Sequence, residues 1–282
     1  MENLLEVRGL TKHYPQFDLK DASFNLPAGV IMGFIGENGA GKSTTLKLIL
    51  NLIRKDGGTI SLLGHDSTQL PPELREEIGV VFDECNIPEM LTSAEVRGTM
   101  QRLYRTWDNG IWSAYMDAFK LPDHKKVNDF SRGMKVKLML AIALSHHPRL
   151  LLLDEATSGL DPVIREEILE VFQKFILDED HSILISTHIL SDLEKVCDYV
   201  LFIHEGRVRF METRDELHDE YALWKGSQTD FALLDPAAVV GKRRSPYGVD
   251  ALVLRHTIPA NATLEPASIE DIMLYIIKDG AK

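Results

Sequence analysis

The chain is poor in cysteine, has no long apolar run and carries no excess of positive charge, and each shortage closes off a class of protein. Its two cysteines, Cys85 and Cys197, lie far apart without metal-ligand spacing, so they are read as two reduced thiols rather than a disulfide framework or a metal site. No apolar stretch approaches the roughly 20 residues of a membrane-spanning helix. The start, Met1-Glu2-Asn3-Leu4-Leu5-Glu6, lacks the basic segment and apolar stretch of a secretory signal. The expectation is a cytoplasmic chain or one peripheral on the cytoplasmic face of a membrane, with no spanning segment of its own. Lys and Arg number 31 against 43 Asp and Glu, a net charge of -12, which argues against direct nucleic-acid binding because phosphates call for a basic face. Internal repeats and low-complexity tracts are missing too. What is present is an ordinary globular composition, 44% hydrophobic and 26% charged over 282 residues, enough for one large domain with an appendage.

The most informative segment is Gly36-Glu37-Asn38-Gly39-Ala40-Gly41-Lys42-Ser43-Thr44, which fits G-x-x-x-x-G-K-[ST] at every required position. Its glycines let backbone N–H groups turn inward around an anion. Lys42 can reach the outer phosphates, and the Ser43 hydroxyl can ligate Mg²⁺. The context agrees: residues 30–35 form an apolar run of strand length, and residues 42–53 carry Leu46, Ile49, Leu50 and Ile53 at helical spacing. Phosphates bound by the loop would therefore sit at the positive end of a helix dipole.

Strand-like runs at residues 59–63, 78–82, 150–153 and 182–186 alternate with helical patterns at 72–77, 92–120, 131–144 and 162–177. That alternation predicts a largely parallel α/β sheet. Trp107 and Trp112 read as packing residues. Residues 209–282 read as a small appended α/β or β-rich region with a Lys242-Arg243-Arg244 cluster and a final helix over 269–278.

Leu150-Leu151-Leu152-Leu153-Asp154-Glu155 ends a buried strand in two carboxylates, at the edge where open α/β sheets bind ligands. Asp154 can hold Mg²⁺ beside Ser43, which leaves Glu155 as a base for water. The alternative is a solvated acidic pair at a strand end. His188 follows the strand-like run at 182–186 and so falls on the same edge, either as a structural histidine or as a hydrogen-bond partner for a γ-phosphate. Ser131, with Arg132, Gly133 and Met134, opens another helix, either as a plain N-cap or as a second anion-receptive N-terminus.

Taken together, residues 4–209 resemble the nucleotide-binding subunit of ATP-binding cassette (ABC) transporters. The ordered set is Tyr14, residues 36–44 (Walker A), Asp83 at the Gln-loop position, Phe130-Ser131-Arg132-Gly133-Met134 (signature), residues 150–155 (Walker B), Ser158-Gly159-Leu160-Asp161 (D-loop) and His188 (switch). The resemblance implies a P-loop NTPase fold with an N-terminal antiparallel β subdomain, a helical signature subdomain over about 84–148, and a boundary near 208 before the accessory region. It implies ATP and Mg²⁺, with Tyr14 stacking on adenine, Lys42, Glu155 and His188 catalytic, and Ser43, Asp83 and Asp154 at the metal. It also implies that Ser131 and Gly133 contact the γ-phosphate bound by a second nucleotide-binding subunit. An integral membrane permease, docked on the 83–120 region, would complete the assembly.

Two motifs depart from the family pattern. Asp83 stands where a glutamine is usual, which adds negative charge beside the γ-phosphate, with Glu84 the alternative if the loop shifts by one residue. Arg132 and Met134 replace the Gly and Gln of the signature, a form that resembles subunits paired with ABC-2-type permeases. Phe82-Asp83-Glu84 and the 266–272 segment resemble exporters of antimicrobial or amphipathic peptides, including YtrB-like and phenol-soluble modulin systems. The competing reading is a mechanochemical or regulatory ABC ATPase acting on DNA or the ribosome. A single cassette without a long heptad insertion weighs against it. A nucleotide-binding module without turnover is the third reading.

Overall fold

The computed structural model describes residues 2–245, 248–259 and 262–279. An antiparallel pair, β1 (Asn3–Tyr14) and β2 (Phe17–Pro27), precedes β3 (Ile31–Ile35), which runs through the Gly loop into α1 (Lys42–Ile49). β4 (Gly57–Leu62) and the short β5 (His65–Asp66) return beside β1, giving a sheet in the order β2-β1-β4-β5. After α2 (Pro72–Arg75) and β6 (Ile78–Val81) come three helices, α3 (Ser93–Leu103), α4 (Asn109–Ala118) and α5 (Arg132–Leu144). β7 (Leu150–Asp154), α6 (Pro162–Phe175), β8 (Ser182–Ser186), α7 (Leu190–Val196), β9 (Tyr199–His204) and β10 (Arg207–Thr213) follow.

The second sheet has the order β10-β9-β3-β8-β7-β6, parallel except for the antiparallel β10. Every residue of β3, β7 and β8 is buried, because helices and the first sheet cover both faces, and this is why these strands read as unbroken apolar runs. Their C-terminal ends share one edge, and the ligand-facing loops leave from it.

The remaining chain forms α8 (Arg214–Glu220), β11 (Tyr221–Gly226), α9 (Gln228–Phe231), β12 (Val239–Ser245), β13 (Gly248–Leu254), β14 (Leu264–Pro266) and α10 (Ile269–Asp279). Its antiparallel sheet, β12-β13-β11-β14, has its own core of Trp224, Val249, Ala251 and Val253 on one face. Leu223, Leu252, Ile269 and Ile272 join the main core, which also holds Leu193 and Val196 of α7.

The two apolar faces of residues 92–120 belong to two helices, since Tyr104 turns extended (φ -101, ψ 127) and Asp108 starts α4 afresh by accepting the Gly110 and Ile111 N–H groups. The structure departs from the sequence reading in two places. α1 stops at Ile49 rather than continuing to residue 53, with Asn51 in the left-handed region (φ 52). β10 pairs with β9 as far as Thr213, so the core sheet runs past residue 208. Trp112 is buried, as its reading as a packing residue requires, and both cysteines are free thiols.

Candidate functional site

The loop between β3 and α1 depends on glycine at three points. A Cβ on Gly36 would come 2.3 Å from the Ile203 carbonyl oxygen, and one on Gly41 would come 2.7 Å from the Phe17 ring. Gly39 and Gly41 also have φ of 85 and 115, conformations that L side chains rarely adopt. The loop closes on itself through the Ala40 N–H, which donates to the Glu37 carbonyl at 3.0 Å. Glu37 also lies 3.5 Å from His204. Lys42 is almost fully buried and donates to the Gly36 and Glu37 carbonyls at 2.7 and 3.2 Å. Burial holds its ammonium below the ordinary lysine range, opposed by the carboxylates of Glu155 and Asp154. Thr45, which sequence reading passed over, is fully buried and donates to the Gly41 carbonyl at 2.9 Å, pinning the first turn of α1.

Two carboxylates face this loop from β7. The Ser43 hydroxyl donates to Asp154 Oδ1 at 3.1 Å, so two hard oxygens already sit together. Glu155 has a left-handed backbone (φ 53), and its N–H donates to the Ser186 carbonyl at 2.8 Å, which joins the ends of β7 and β8. That turn sends the side chain between two cations or donors. Glu155 Oε1 is 3.8 Å from Lys42 Nζ, while Oε2 accepts from His188 Nδ1 at 2.7 Å. A carboxylate held this way can accept a proton from water, and with Nδ1 donating to Glu155 the Nε2 of His188 can donate to an oxyanion only when the ring is protonated.

These groups surround a cleft of about 580 Å³ lined by Tyr14, Phe17, Asn38, Gly39, Gly41, Lys42, Ser43, Thr44, Asp83, Glu155, Ser158 and His188. Tyr14 contributes a partly exposed ring, with Lys12 Nζ 5.4 Å from its centroid. Phe17 was not singled out from sequence, although an aromatic three positions after Tyr14 was an available signal; Ser158, named there as the first residue of the D-loop, takes its place in the cleft wall.

The signature segment stands apart from this cleft in the same chain. Ser131 is exposed and caps α5 by accepting the Met134 N–H at 3.3 Å, and Gly133 is buried where a Cβ would meet Ile164 at 2.6 Å. Only the Arg132 side chain turns back, to Asp83 and to the Ser158 carbonyl.

The arrangement has counterparts. A family profile described as ABC transporter matches residues 19–158. The ABC transporter ATP-binding protein YtrB of Bacillus subtilis (strain 168) is 32% identical over 219 residues, 77% of this chain and 75% of that protein. The chain belongs to the ABC transporter family. The bacitracin transport ATP-binding protein BcrA of Bacillus licheniformis is 33% identical over 211 residues, covering 74% of this chain and 69% of the other. A solved structure described as the ATP binding subunit of an ABC transporter superposes with a TM-score of 0.67 at 31% identity, over 76% of this chain and 92% of that one. As an ABC family member the chain is an ATP-binding and ATP-hydrolysing subunit whose turnover is coupled to transport. Subunits of the family dimerise and pair with membrane permeases. Among the described residues no helix is long and apolar enough to cross a membrane.

Proposed function

We propose that this chain energises a separate permease for the export of peptides or other amphipathic, antimicrobial compounds. The observation that carries the catalytic part is the position of Glu155, between Lys42 and His188 at the head of a glycine-lined cleft. In this reading Tyr14 stacks on adenine, and the backbone of residues 36–44 with Lys42 holds the phosphates. Glu155 accepts the proton of the attacking water, and His188 keeps that carboxylate oriented. Ser43 and Asp154 supply the hard oxygens that suit Mg²⁺, which when bound would neutralise phosphate charge.

The exposed Ser131, outside its own cleft, supports the reading that it completes the cleft of a second subunit. For the permease, the Phe82–Asn86 segment with the exposed Leu52 and Met90 offers a mixed apolar and acidic seat, beside a hollow that also takes in Ser43, Lys47 and Asp154. The export reading leans on the named relatives' antibiotic transport and on the 266–272 resemblance.

Glu155→Gln is expected to retain ATP binding, favour a stable dimer and lower phosphate release by about two to four orders of magnitude. Near-normal hydrolysis would remove Glu155 from this role. Copurification tests the partner: recovery of an integral membrane protein supports transport, and retained rRNA or DNA without one overturns it.

A further inference from the structure

Two of the three positions where the chain departs from its family pattern, Asp83 and Arg132, 49 residues apart in sequence, meet in space. The guanidinium of Arg132, at the first turn of α5, donates from Nη2 to Asp83 Oδ1 and from Nε to the Ser158 carbonyl at 2.9 Å. Asp83 and Ser158 both line the cleft that holds Lys42 and Glu155. Gly159 makes room for the contact: its φ is 66, and a Cβ there would come 3.2 Å from Arg132 Nε. One planar group thus ties together the segment after β6, the start of α5 and the turn before α6. A lysine, with a single nitrogen, cannot reproduce that fork.

We propose that Arg132 is a positioning residue for its own subunit's cleft. It cancels the charge of Asp83 at the place where that charge would repel a triphosphate, and it fixes the Ser158 turn against the same wall. Asp83 has acidic company, since Glu84 and Asp154 share the adjoining hollow, where Lys47 is the basic residue. Without Arg132, the Asp83 carboxylate would face an incoming polyanion without the guanidinium now paired to it, with Glu84 and Asp154 adding negative charge next door. Both side chains of the pair are 49% exposed, so the contact adds little to folding stability, and substitutions there should leave the chain folded. Its effect falls on nucleotide affinity. The inference rests on assigning this cleft to ATP, which Lys42→Ala tests separately by abolishing binding.

The deciding experiment is a double-mutant cycle on nucleotide affinity, measured by equilibrium binding of a non-hydrolysable ATP analogue with Glu155 intact, at concentrations where the full chain sediments as a monomer with the analogue present. Arg132→Ala should weaken binding about three- to twentyfold, with the loss shrinking as salt is raised. Asp83→Asn alone leaves the guanidinium uncancelled and should tighten binding by up to a similar factor, while the double variant should return to within about twofold of the starting chain. Arg132→Lys should recover the affinity in part, since it restores charge without the Ser158 contact. A double variant as weak as Arg132→Ala would overturn the proposal, because Arg132 would then act on the nucleotide directly. So would an Arg132→Ala chain with unchanged affinity.

Discussion

The nucleotide cleft and the C-terminal extension are built by opposite means. The cleft gathers side chains from loops at one edge of a parallel sheet, where backbone groups leave the ladder and residues such as Glu155 and Gly41 hold left-handed conformations. The extension is a closed antiparallel sheet whose residues mostly pack: Trp224, Val249, Ala251 and Val253 on one face, Leu223 and Leu252 toward α10 and α7 on the other. Function concentrates where the ladder ends, and packing where it continues.

The two regions nevertheless touch through one carboxylate. Glu194 on α7, the helix that follows His188, accepts the Ile269 N–H at the start of α10 at 2.7 Å and lies 3.1 Å from His218 Nε2. His218 in turn donates from Nδ1 to the Ala267 carbonyl at 3.0 Å. The extension is therefore anchored on the helix that follows His188.

Separating the two regions is the sharpest test of this contrast. Trp224→Ala empties the extension's core and should cost it about 3–5 kcal/mol, seen as an early transition in thermal unfolding, while ATP affinity stays within about twofold. A parallel loss of nucleotide binding would mean that the regions are one cooperative unit. Glu194→Ala removes the anchor and leaves the Ile269 N–H without its acceptor, which should destabilise the extension by about 1–3 kcal/mol in denaturant titration. No shift in that titration would show that apolar contacts alone hold the extension.

The smallest effect belongs to His146, buried between the end of α5 and the start of β6. Its ring stacks on Tyr104 at 4.1 Å and donates to the Glu76 carbonyl at 2.7 Å. Burial pushes its pKa below the ordinary histidine value, with the Glu76 carbonyl opposing the shift. The folded chain thus holds a neutral ring, whereas the unfolded chain takes up a proton near pH 6.5. Its stabilisation is complete above about pH 6.5 and declines as pH falls below it. His146→Gln should flatten that acid limb in unfolding curves recorded from pH 7.5 to 5, and an unchanged slope would assign the limb to other groups.

Much of this was legible beforehand because it is local. The Gly loop, the Leu150–Asp154 strand and the Ser182–Ser186 strand each carry their signal within a few residues: glycine where φ turns positive, unbroken leucine and isoleucine where both faces are covered. The early end of α1 was hidden because Leu50 and Ile53 keep the helical spacing after the backbone has left the helix, whereas the gap between α3 and α4 was legible as a change of apolar face near Trp107. The extension's topology was also out of reach, since β11 pairs with β13 and β14 rather than with its sequence neighbour β12.

By itself the sequence determined that a parallel α/β sheet would present a phosphate-binding loop, a Walker B carboxylate pair and a histidine on one edge, because strand order and local φ requirements are written in short segments. Only the tertiary structure decided that Arg132 turns inward to Asp83 rather than outward beside Ser131, and that Glu194 anchors the extension. Both are contacts between residues tens of positions apart, and their energies exist only once the sheet has brought the loops together.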